Sequence, residues 1–560
     1  MDFRRYFLWG ALFISSYMLF LKWNQDYGQQ PTQSVAQNSQ SQTETTTQIN
    51  DYLPLATQES ANANSEIPQN VSQIAPGKLI EVTTDTLRVA INPVGGDLVE
   101  AALLQYNKEL GQPDPYVILQ DDAERTYITQ SGLIGTNGPD ASDEGRPVYQ
   151  TEQTSYQLKK GDNSLDVNLY YTDADGVKYT KTFRFTKGTY RIRQLITVDN
   201  TSANTWRGNL FAQIMRDNSP DPSKSSSMGL QPYLGGAISD EETKYSKISF
   251  DEFPTKKEID ENEKNPIKIS TNKGWVAVLQ HYFVSAWVPE QGQEVTLQAR
   301  KNERYNFIGF AADPVEIAAG KQGTMSATFY VGPKLQDQLE ATAENLDLTV
   351  DYGMLWWLAK PLFWLLTMIQ SFVVNWGVAI ILVVVVVKAI FFKLSAASYR
   401  SMAKMRKFGP EIAKLKDKYG DDRQKMSQAM MELYKKEKIN PLGGCLPILV
   451  QMPVFLALYW VLMESVELRQ APFILWINDL SVMDPYFILP ILMGISMFVQ
   501  QALNPTPPDP MQARIMKIMP VAFSIFFLWF PAGLVLYWVT NNTLSILQQY
   551  VITKRIEKES

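Results

Sequence analysis

The sequence has one cysteine and one histidine, and both shortages exclude whole classes of chemistry. Because Cys445 is alone, the chain can form neither an intramolecular disulfide nor a cysteine-based zinc or iron–sulfur site. The single His281 excludes HExxH metalloproteases and multi-histidine metal sites. The sequence also lacks a GxxxxGK[ST] phosphate loop, a GxGxxG motif after a strand and a GxSxG nucleophile motif. We therefore expect no metal, no cofactor and no covalent catalysis.

The averages of the composition hide strong local differences. The 560 residues carry a net charge of −6, with 45% hydrophobic and 20% charged side chains, as in an ordinary soluble protein. However, residues 24–75 contain almost no apolar clusters, whereas residues 352–394 are nearly continuous Val, Ile, Leu, Phe and Trp. The chain is long enough for two to four domains of roughly 100–200 residues each.

Residues 1–23 predict a transmembrane anchor. Arg4 and Arg5 precede about 18 mostly apolar residues, close to the ~20 needed to span a bilayer. A secretory signal peptide is the alternative, and a faint twin-arginine pattern is present, but no A-x-A-like cleavage site follows. The basic start predicts a cytoplasmic N-terminus. Residues 24–75, rich in Gln, Ser, Thr and Asn, predict a disordered linker.

Residues 76–345 show a period of two and predict a large antiparallel β-sandwich. In residues 165–200 the alternation surrounds Asp175-Gly176, a strong hairpin signal, and the DADG stretch lacks the other ligands of a calcium loop. His281 lies in an apolar, strand-like stretch, which favours a structural histidine over a catalytic one. Glycan binding by this domain remains open.

The charge of one segment fixes the predicted topology. Residues 393–438 contain 13 Lys and Arg against 6 Asp and Glu, which places them in the cytoplasm. An odd number of crossings must then separate this segment from the outer β domain. We therefore predict an interfacial amphipathic helix over residues 351–371, a first core span over residues 376–394, and a basic helical hairpin over residues 395–440.

The remaining apolar segments predict four more spans within residues 442–551, followed by a cytoplasmic tail at 552–560. The predicted spans are residues 442–466, 485–503, 515–530 and 534–551. With the anchor and the first core span, this makes six spans with both termini inside. Cys445 resembles part of a lipoprotein box, but it lies in mid-chain and is interpreted as a packing residue.

Lys388 is the most informative intramembrane residue. It lies about 6 residues, or ~9 Å, from the inner end of its predicted span, where a charge is costly. The side chain could reach the inner headgroups, or it could have water or a polar partner. Other polar residues at the inner half favour a wet cavity that is closed on the outer side and does not form a channel. These residues are Gln451, Gln500, Gln501, Asn541 and Asn542.

Several stretches carry a resemblance to a known family. They include YVGPKLQDQLEATAENLDLTVDYG (330–353), SMAKMRKFGPEI (401–412), NPLGGCLPILVQMPVFLALYW (440–460), VELRQAPFILWINDLS (466–481), DPYFILPILMG (484–494) and FFLWFPAGLVLYWVTNN (526–542). They resemble the YidC/Oxa/Alb membrane protein insertases, in particular the Gram-negative type with a large periplasmic domain. GGDLVEAALLQY (95–106) and GWVAVLQHYF (274–283) extend the resemblance over nearly the whole chain.

The resemblance implies a polytopic α-helical inner-membrane protein with six transmembrane helices, five of which form the insertase core. It also implies an all-β periplasmic domain, a β-supersandwich that binds partners. The function implied is insertion and folding of transmembrane segments through a hydrophilic groove open to cytoplasm and lipid. The implied groove residues are Lys388, where the family usually has Arg, together with Gln451, Tyr537, Trp538 and Asn541.

The resemblance further implies several partners. These are nascent membrane proteins, the Sec translocon (SecYEG and SecDF), the ribosome and targeting machinery, and the phospholipid bilayer, with a monomer as the active form. The implied contacts of the cytoplasmic hairpin with ribosome or client are Lys404, Arg406, Lys407, Lys414, Arg423 and Lys425. A self-packed hairpin with a solvated face is the other interpretation of these residues.

Two other classes of protein remain as alternatives. An ion or solute transporter with a partner-binding outer domain would be favoured by paired, Gly- or Pro-broken half-helices, which the sequence does not show. A membrane-anchored glycan enzyme would need paired carboxylates in a cleft of the β domain.

Overall fold

The structure, a computed structural model, describes residues 78–559 except 143–144, 223–231, 262–264, 266, 420–421, 437–445 and 505–509. The predicted anchor (1–23), the predicted linker (24–75) and Cys445 lie outside the described residues. A β-rich domain comes first in the described chain, and a helical region follows it.

The β-rich domain contains nineteen strands in the described part of the chain. They are β1 (Ile80–Thr83), β2 (Leu87–Asn92), β3 (Asp97–Asn107), β4 (Pro115–Asp121), β5 (Thr126–Ile134), β6 (Ser155–Gln157), β7 (Ser164–Thr172), β8 (Lys178–Thr186), β9 (Arg191–Asn200), β10 (Trp206–Asp217), β11 (Gly235–Ser239), β12 (Ser246–Ile248), β13 (Lys268–Thr271), β14 (Trp275–Leu279), β15 (Phe283–Pro289), β16 (Val295–Lys301), β17 (Tyr305–Ala312), β18 (Val315–Ile317) and β19 (Lys321–Pro333).

The strands form two sheets that face each other. The first has eleven strands in the order β13-β16-β17-β10-β5-β4-β3-β2-β1-β6, with β18 joining β10, and the second has eight in the order β12-β11-β14-β15-β19-β9-β8-β7. All strand pairs except β1–β6 are antiparallel. Buried side chains bond across the interface, as Ser131 does to Gln194 at 2.7 Å. The predicted antiparallel sandwich is confirmed at this level.

The hairpin predicted at Asp175-Gly176 joins β7 and β8. Buried and more exposed residues alternate along β8, as expected for a strand with one face on the core. Gly176 has φ +85°, a conformation that glycine adopts without steric cost. The Asp173 carboxylate accepts the backbone N–H of Val177 at 2.9 Å, so this aspartate organises the turn.

A buried charge cluster, here called the sandwich cluster, lies between the sheets. It consists of Asp97, Asp140, Arg146 and Lys181, whose side chains are all at most 8% exposed. Arg146 pairs directly with Asp97 and donates to Asp140 at 2.9 Å. The Lys181 ammonium donates to the carbonyls of Gly95 and Ser131, both at 2.8 Å. Each buried carboxylate therefore has a cationic partner.

The helices follow the strands, apart from one short helix inside the β domain. They are α1 (Lys256–Glu261), α2 (Gln336–Glu340), α3 (Trp356–Val373), α4 (Trp376–Ile390), α5 (Phe392–Lys407), α6 (Gly409–Tyr419), α7 (Arg423–Lys436), α8 (Leu446–Glu464), α9 (Ile488–Leu503), α10 (Pro510–Phe526) and α11 (Ala532–Glu559).

The helix of the predicted span over residues 376–394 is interrupted in its inner part, because α4 ends at Ile390. The chain bends by 70° between α4 and the helix that begins at Phe392. After the bend α5 packs on α11, where Ser395, Ser398 and Tyr399 are buried. Gln548 of α11 donates to the Phe392 carbonyl at 3.3 Å. Packing of this small, polar face of α5 explains a bend that the apolar sequence did not indicate.

Length and hydropathy set a limit on the span assignment. Among the described residues no single helix is both long and apolar enough to cross a bilayer, although α4 together with the start of α5 meets the criterion as a bent pair. The helices Gln451–Glu464 and Ile488–Leu503 are apolar but shorter. The last helix continues to Glu559, beyond the predicted end at residue 551.

The helix predicted over residues 351–371 lies at Trp356–Val373. It packs on α4 and α8 through a buried stripe that includes Leu362 and Leu366. The opposite side exposes Trp364 and Phe372, at 65% and 82%. One face of α3 therefore meets the other helices, and the other presents large apolar side chains outward.

The segment predicted as two cytoplasmic helices forms three, because a break at Phe408 separates α5 from α6. The helices α6 and α7 pack against each other as a hairpin. Lys414 and Lys425 are exposed, and Lys425 pairs with Asp422 at 3.1 Å. The side chains of Lys404, Arg406, Lys407 and Arg423 lie outside the description.

Candidate functional site

A lysine near the end of α4 is the centre of a group of polar side chains within the helical region. The Lys388 ammonium donates to the Ser545 hydroxyl of α11 at 2.7 Å and to the Gln451 side-chain carbonyl of α8 at 3.4 Å. Gln451 in turn donates to the side-chain carbonyl of Asn541. The Ser545 hydroxyl donates to the Asn541 backbone carbonyl at 2.7 Å. We call Lys388, Gln451, Asn541 and Ser545 the core cluster.

The core cluster links three helices through uncharged groups. Among the described residues Lys388 forms no ion pair, and both hydrogen-bond partners of its ammonium are neutral. Burying a charge without a counter-charge is costly unless polar groups or water solvate it. The amide and hydroxyl groups of the core cluster provide part of this solvation.

Contacts with the β domain fix the orientation of the core cluster. The end of α8 at Glu464 touches this domain, since the His281 ring bonds the Met463 carbonyl at 2.9 Å. We call this end of the helices the outer end. Gln451 lies 13 residues before Glu464, about 20 Å along the helix axis. The core cluster is therefore remote from the β domain.

An aromatic layer adjoins the core cluster on its outer side. Phe455 lies one turn beyond Gln451 on α8 and contacts two aromatic residues of α11. It stacks with Tyr537 at 5.9 Å and meets Trp538 edge to face at 4.5 Å, and Trp538 also packs on Phe527 at 5.6 Å. Along α8, the polar core cluster and the packed aromatic layer are therefore only one helical turn apart.

The predicted groove residues fall into two groups. Lys388, Gln451 and Asn541 belong to the core cluster, whereas Tyr537 and Trp538 belong to the aromatic layer. Tyr537 is only 2% exposed, so a client cannot reach it in this conformation. Trp538 is half-buried.

The other predicted polar residues lie elsewhere. Asn542 is buried on another face of α11 and donates to Ser496 of α9 at 3.1 Å. Gln500 and Gln501 are half-buried on α9 and do not join the core cluster. The inner part of α11 makes further polar contacts, because Gln549 donates to the side chain of Asn504 at 3.0 Å.

Sequence reasoning missed Ser545 and the buried polar face of α5. Ser545 lies one turn after Asn541, on the same face of α11, which was a usable signal. Ser398 is 3% exposed, and its hydroxyl has no hydrogen-bond partner in the described chain. Nothing in an apolar stretch followed by a basic one indicated that α5 would turn toward α11.

The helical region exposes large apolar side chains on its surface. On α9 and α10 a set of large apolar side chains is more than half exposed: Ile491, Ile495, Phe498, Ile518, Val521 and Ile525. Exposed apolar surface of this extent marks contact with another apolar phase. Lipid is one such phase.

Two family models together match the β-rich domain and the helical region, and the boundary between them lies inside α3. The YidC periplasmic domain matches residues 79–365, and the 60Kd inner membrane protein family matches residues 368–559. The fold and these matches define an inner-membrane protein with a helical region and a large β-rich periplasmic domain.

Full-length relatives give the particular family. The membrane protein insertase YidC of Marinomonas sp. (strain MWYL1) is 82% identical over 100% of both chains, and that of Pseudomonas fluorescens (strain SBW25) is 54% identical over 100% of this chain and 99% of the relative. A crystal structure of an active YidC insertase covers 85% of this chain and 92% of its own, with 18% identity and a TM-score of 0.37. The chain belongs to the YidC family of membrane protein insertases.

Proposed function

We propose that this protein inserts transmembrane segments of nascent membrane proteins through a hydrated groove around the core cluster, open to the cytoplasm and to lipid. The observation that carries the proposal is the Lys388 ammonium, which is partly buried and bonded only to neutral groups. An ammonium has three N–H donors, and the core cluster accepts two of them. The third can bind an acceptor on a client, such as a carboxylate.

The aromatic layer gives the groove its outer limit. A hydrophilic client tail that enters from the cytoplasm reaches polar groups as far as Gln451 and Asn541, and then meets Phe455 and Trp538. The tail therefore crosses part of the bilayer thickness in polar surroundings. Only the remaining outer part has to be crossed through an apolar medium.

Transfer of the client's apolar segment into lipid supplies the free energy. Burial of apolar surface contributes about 25 cal/mol per Å², so a segment of ~20 apolar residues provides a large driving force without nucleotide hydrolysis. The exposed apolar faces of α9 and α10 offer a surface along which such a segment can leave sideways.

The finer organisation belongs to the same proposal. Six spans, five of them in the core, place both termini in the cytoplasm and the β domain in the periplasm as a partner-binding module. The basic hairpin meets the ribosome or targeting machinery. The protein works as a monomer, alone or with the Sec translocon. Exposed Lys414 and Lys425 on α6 and α7 support a role of the hairpin in binding acidic surfaces.

Charge reversal at Lys388 tests the proposal. We expect Lys388→Glu to lower insertion of a client with an acidic tail about tenfold, since a charge-assisted hydrogen bond is replaced by repulsion. Insertion of the same client with a neutral tail is expected to change much less. The measurement is protease protection of both clients in proteoliposomes, with Lys393→Glu as a control at an exposed lysine. An equal loss of insertion for both clients would contradict the proposed attraction between Lys388 and an acidic tail.

Crosslinking tests the position of the groove. A photoreactive residue at Gln451 should capture a stalled nascent chain, because this side chain belongs to the core cluster. The same residue at the exposed Ile518 of α10 is the control. Equal capture from both positions would mean that clients follow the lipid-facing surface and not the groove.

A further inference from the structure

A cavity of about 180 Å³ lies at the junction between the β domain and the outer end of α8. We call it the junction cavity. Its lining includes His281 and Lys334 from the β domain and its C-terminal extension, Glu464 from α8, and the aromatic residues Tyr245 and Trp460. The volume is enough for several water molecules or a small polar ligand.

Two opposite charges face each other in the junction cavity without a direct hydrogen bond. The Lys334 ammonium and the Glu464 carboxylate are 3.9 Å apart, and their side chains are 5% and 14% exposed. That separation is too long for a hydrogen bond, and in the described chain neither charged group has another hydrogen-bond partner. A second ion pair, Lys247 with Asp351, also lines the cavity and is closed by direct contact. A buried ion pair is stable only when its remaining donors and acceptors are satisfied. The gap therefore leaves room for a group that bonds both.

The single histidine is a buried, neutral ring in the wall of the junction cavity. His281 is 3% exposed, and its Nε2 must carry the proton because it donates to the Met463 carbonyl. The neutral ring then presents a lone pair on Nδ1, which has no partner among the described residues. Burial, together with the nearby charge of Lys334, lowers the pKa of His281 to about 4, so the ring is neutral near pH 7.

The arrangement defines the chemistry of a complementary ligand. Glu464 is an acceptor and requires an N–H or O–H donor, whereas Lys334 is a donor and requires an anion. The aromatic rings of Tyr245 and Trp460 suit a neighbouring cation. A ligand with an N–H-bearing ammonium next to an anionic group satisfies all of these. A quaternary ammonium does not, because it has no N–H donor.

We propose that the junction cavity binds a primary-amine zwitterion with the chemistry of phosphoethanolamine, the headgroup of phosphatidylethanolamine. The lipid is the source that the position favours. Gly353 lines the cavity directly before α3, whose Trp356 and Trp357 are more than half exposed at the same end of the molecule. Exposed tryptophans of this kind lie at the headgroup level of a bilayer. This site is independent of the groove around Lys388.

The single histidine makes a direct test possible. Full-length protein labelled with ¹⁵N-histidine gives one pair of ring signals, and the Nδ1 shift reports a change in the electrostatic surroundings of this ring, which lines the junction cavity. We compare nanodiscs of pure phosphatidylcholine with nanodiscs containing phosphatidylethanolamine. The expected result is a shift of Nδ1 that requires phosphatidylethanolamine. The same Nδ1 signal in both lipids, and also after addition of free O-phosphoethanolamine, would overturn the proposal.

A third sample identifies the source of the ligand. Free O-phosphoethanolamine is added to the phosphatidylcholine nanodiscs. If it produces the shift and phosphatidylethanolamine does not, the zwitterion chemistry stands and the lipid source is wrong. The Glu464→Gln variant is expected to weaken the response to phosphatidylethanolamine about tenfold, because a charged acceptor is lost. Glu340→Gln, at an exposed position, is the matched control, and an equal loss there would contradict the assignment.

Discussion

The sandwich cluster and the core cluster treat buried charge in opposite ways. In the β domain Arg146 contacts two carboxylates, Asp97 and Asp140. In the helical region the Lys388 ammonium contacts a hydroxyl and an amide. The charges of the sandwich cluster sum to zero, because its two carboxylates are balanced by two cations. The core cluster keeps a net positive charge that an incoming group can neutralise.

This difference in partners indicates a structural role for the sandwich cluster and a binding role for the core cluster. Removing one member of a closed ion cluster leaves the others buried and unpaired, which costs stability. Removing the one charge from a cluster of neutral groups leaves no unpaired charge behind. Stability measurements can therefore show whether each cluster has the role that its partners indicate.

The largest expected effect is on the sandwich cluster. Arg146→Met should lower the free energy of unfolding by about 3–5 kcal/mol, because Asp97 and Asp140 stay buried without the guanidinium that pairs directly with both. The measurement is denaturant unfolding of the full chain, followed by tryptophan fluorescence. Arg184→Met breaks an exposed pair with Asp166 and should cost no more than about 1 kcal/mol. Equal losses of stability for both variants would show that the sandwich cluster contributes no more to stability than an exposed ion pair.

The second prediction concerns His281, at the boundary between the two regions. Its native pKa of about 4 is below the ordinary value of 6.5, so below pH 6.5 the unfolded chain binds a proton that the folded chain does not. Stability from this group is therefore lost as the pH falls from 6.5 toward 4, by about 2 kcal/mol at pH 5. His281→Gln should abolish this part of the pH dependence.

The quantity to compare is the difference in free energy of unfolding between wild type and the His281→Gln variant at each pH. Burial raises the pKa of Glu467 to about 7, so this residue has the opposite dependence in both proteins and cancels in the difference. A difference that stays constant between pH 7 and pH 5 would contradict the assigned protonation state of His281.

The smallest effect on stability is expected for the core cluster. Lys388→Met should change the free energy of unfolding by less than about 1 kcal/mol, because Gln451, Asn541 and Ser545 still bond one another. Insertion of acidic-tailed clients should nevertheless fall. Unfolding of this variant is compared with that of Lys393→Met, an exposed lysine on the next helix. A loss as large as that of Arg146→Met would show that Lys388 is structural.

Local patterns in the sequence were enough to predict part of this organisation. The alternation around Asp175-Gly176 predicted the β7–β8 hairpin, since a strand with one buried face has a period of two. The isolated polar residues Lys388, Gln451 and Asn541 were recognised because polar groups are rare in apolar segments. The roles of these residues and the span count stay predictions.

Features that depend on tertiary contacts could not be predicted. The bend after Ile390 arises from packing of α5 on α11, and the local sequence contains no proline or glycine there to indicate it. His281 was expected in a strand, but it lies between β14 and β15 and bonds a helix 182 residues away in sequence. Such long-range contacts leave no periodic signal in one sequence.

The attachment of α8 to the β domain has a mechanical consequence. One end of this helix is held by His281 at Met463, whereas Gln451 lies about 20 Å away. The Gln451 end is held by side-chain hydrogen bonds of the core cluster, which water or a client can replace, so we expect it to move more than the Met463 end. In the proposed function, the passage for a client would then widen at the Gln451 end while the Met463 end stays tight, which would let a peptide enter without an ion leak.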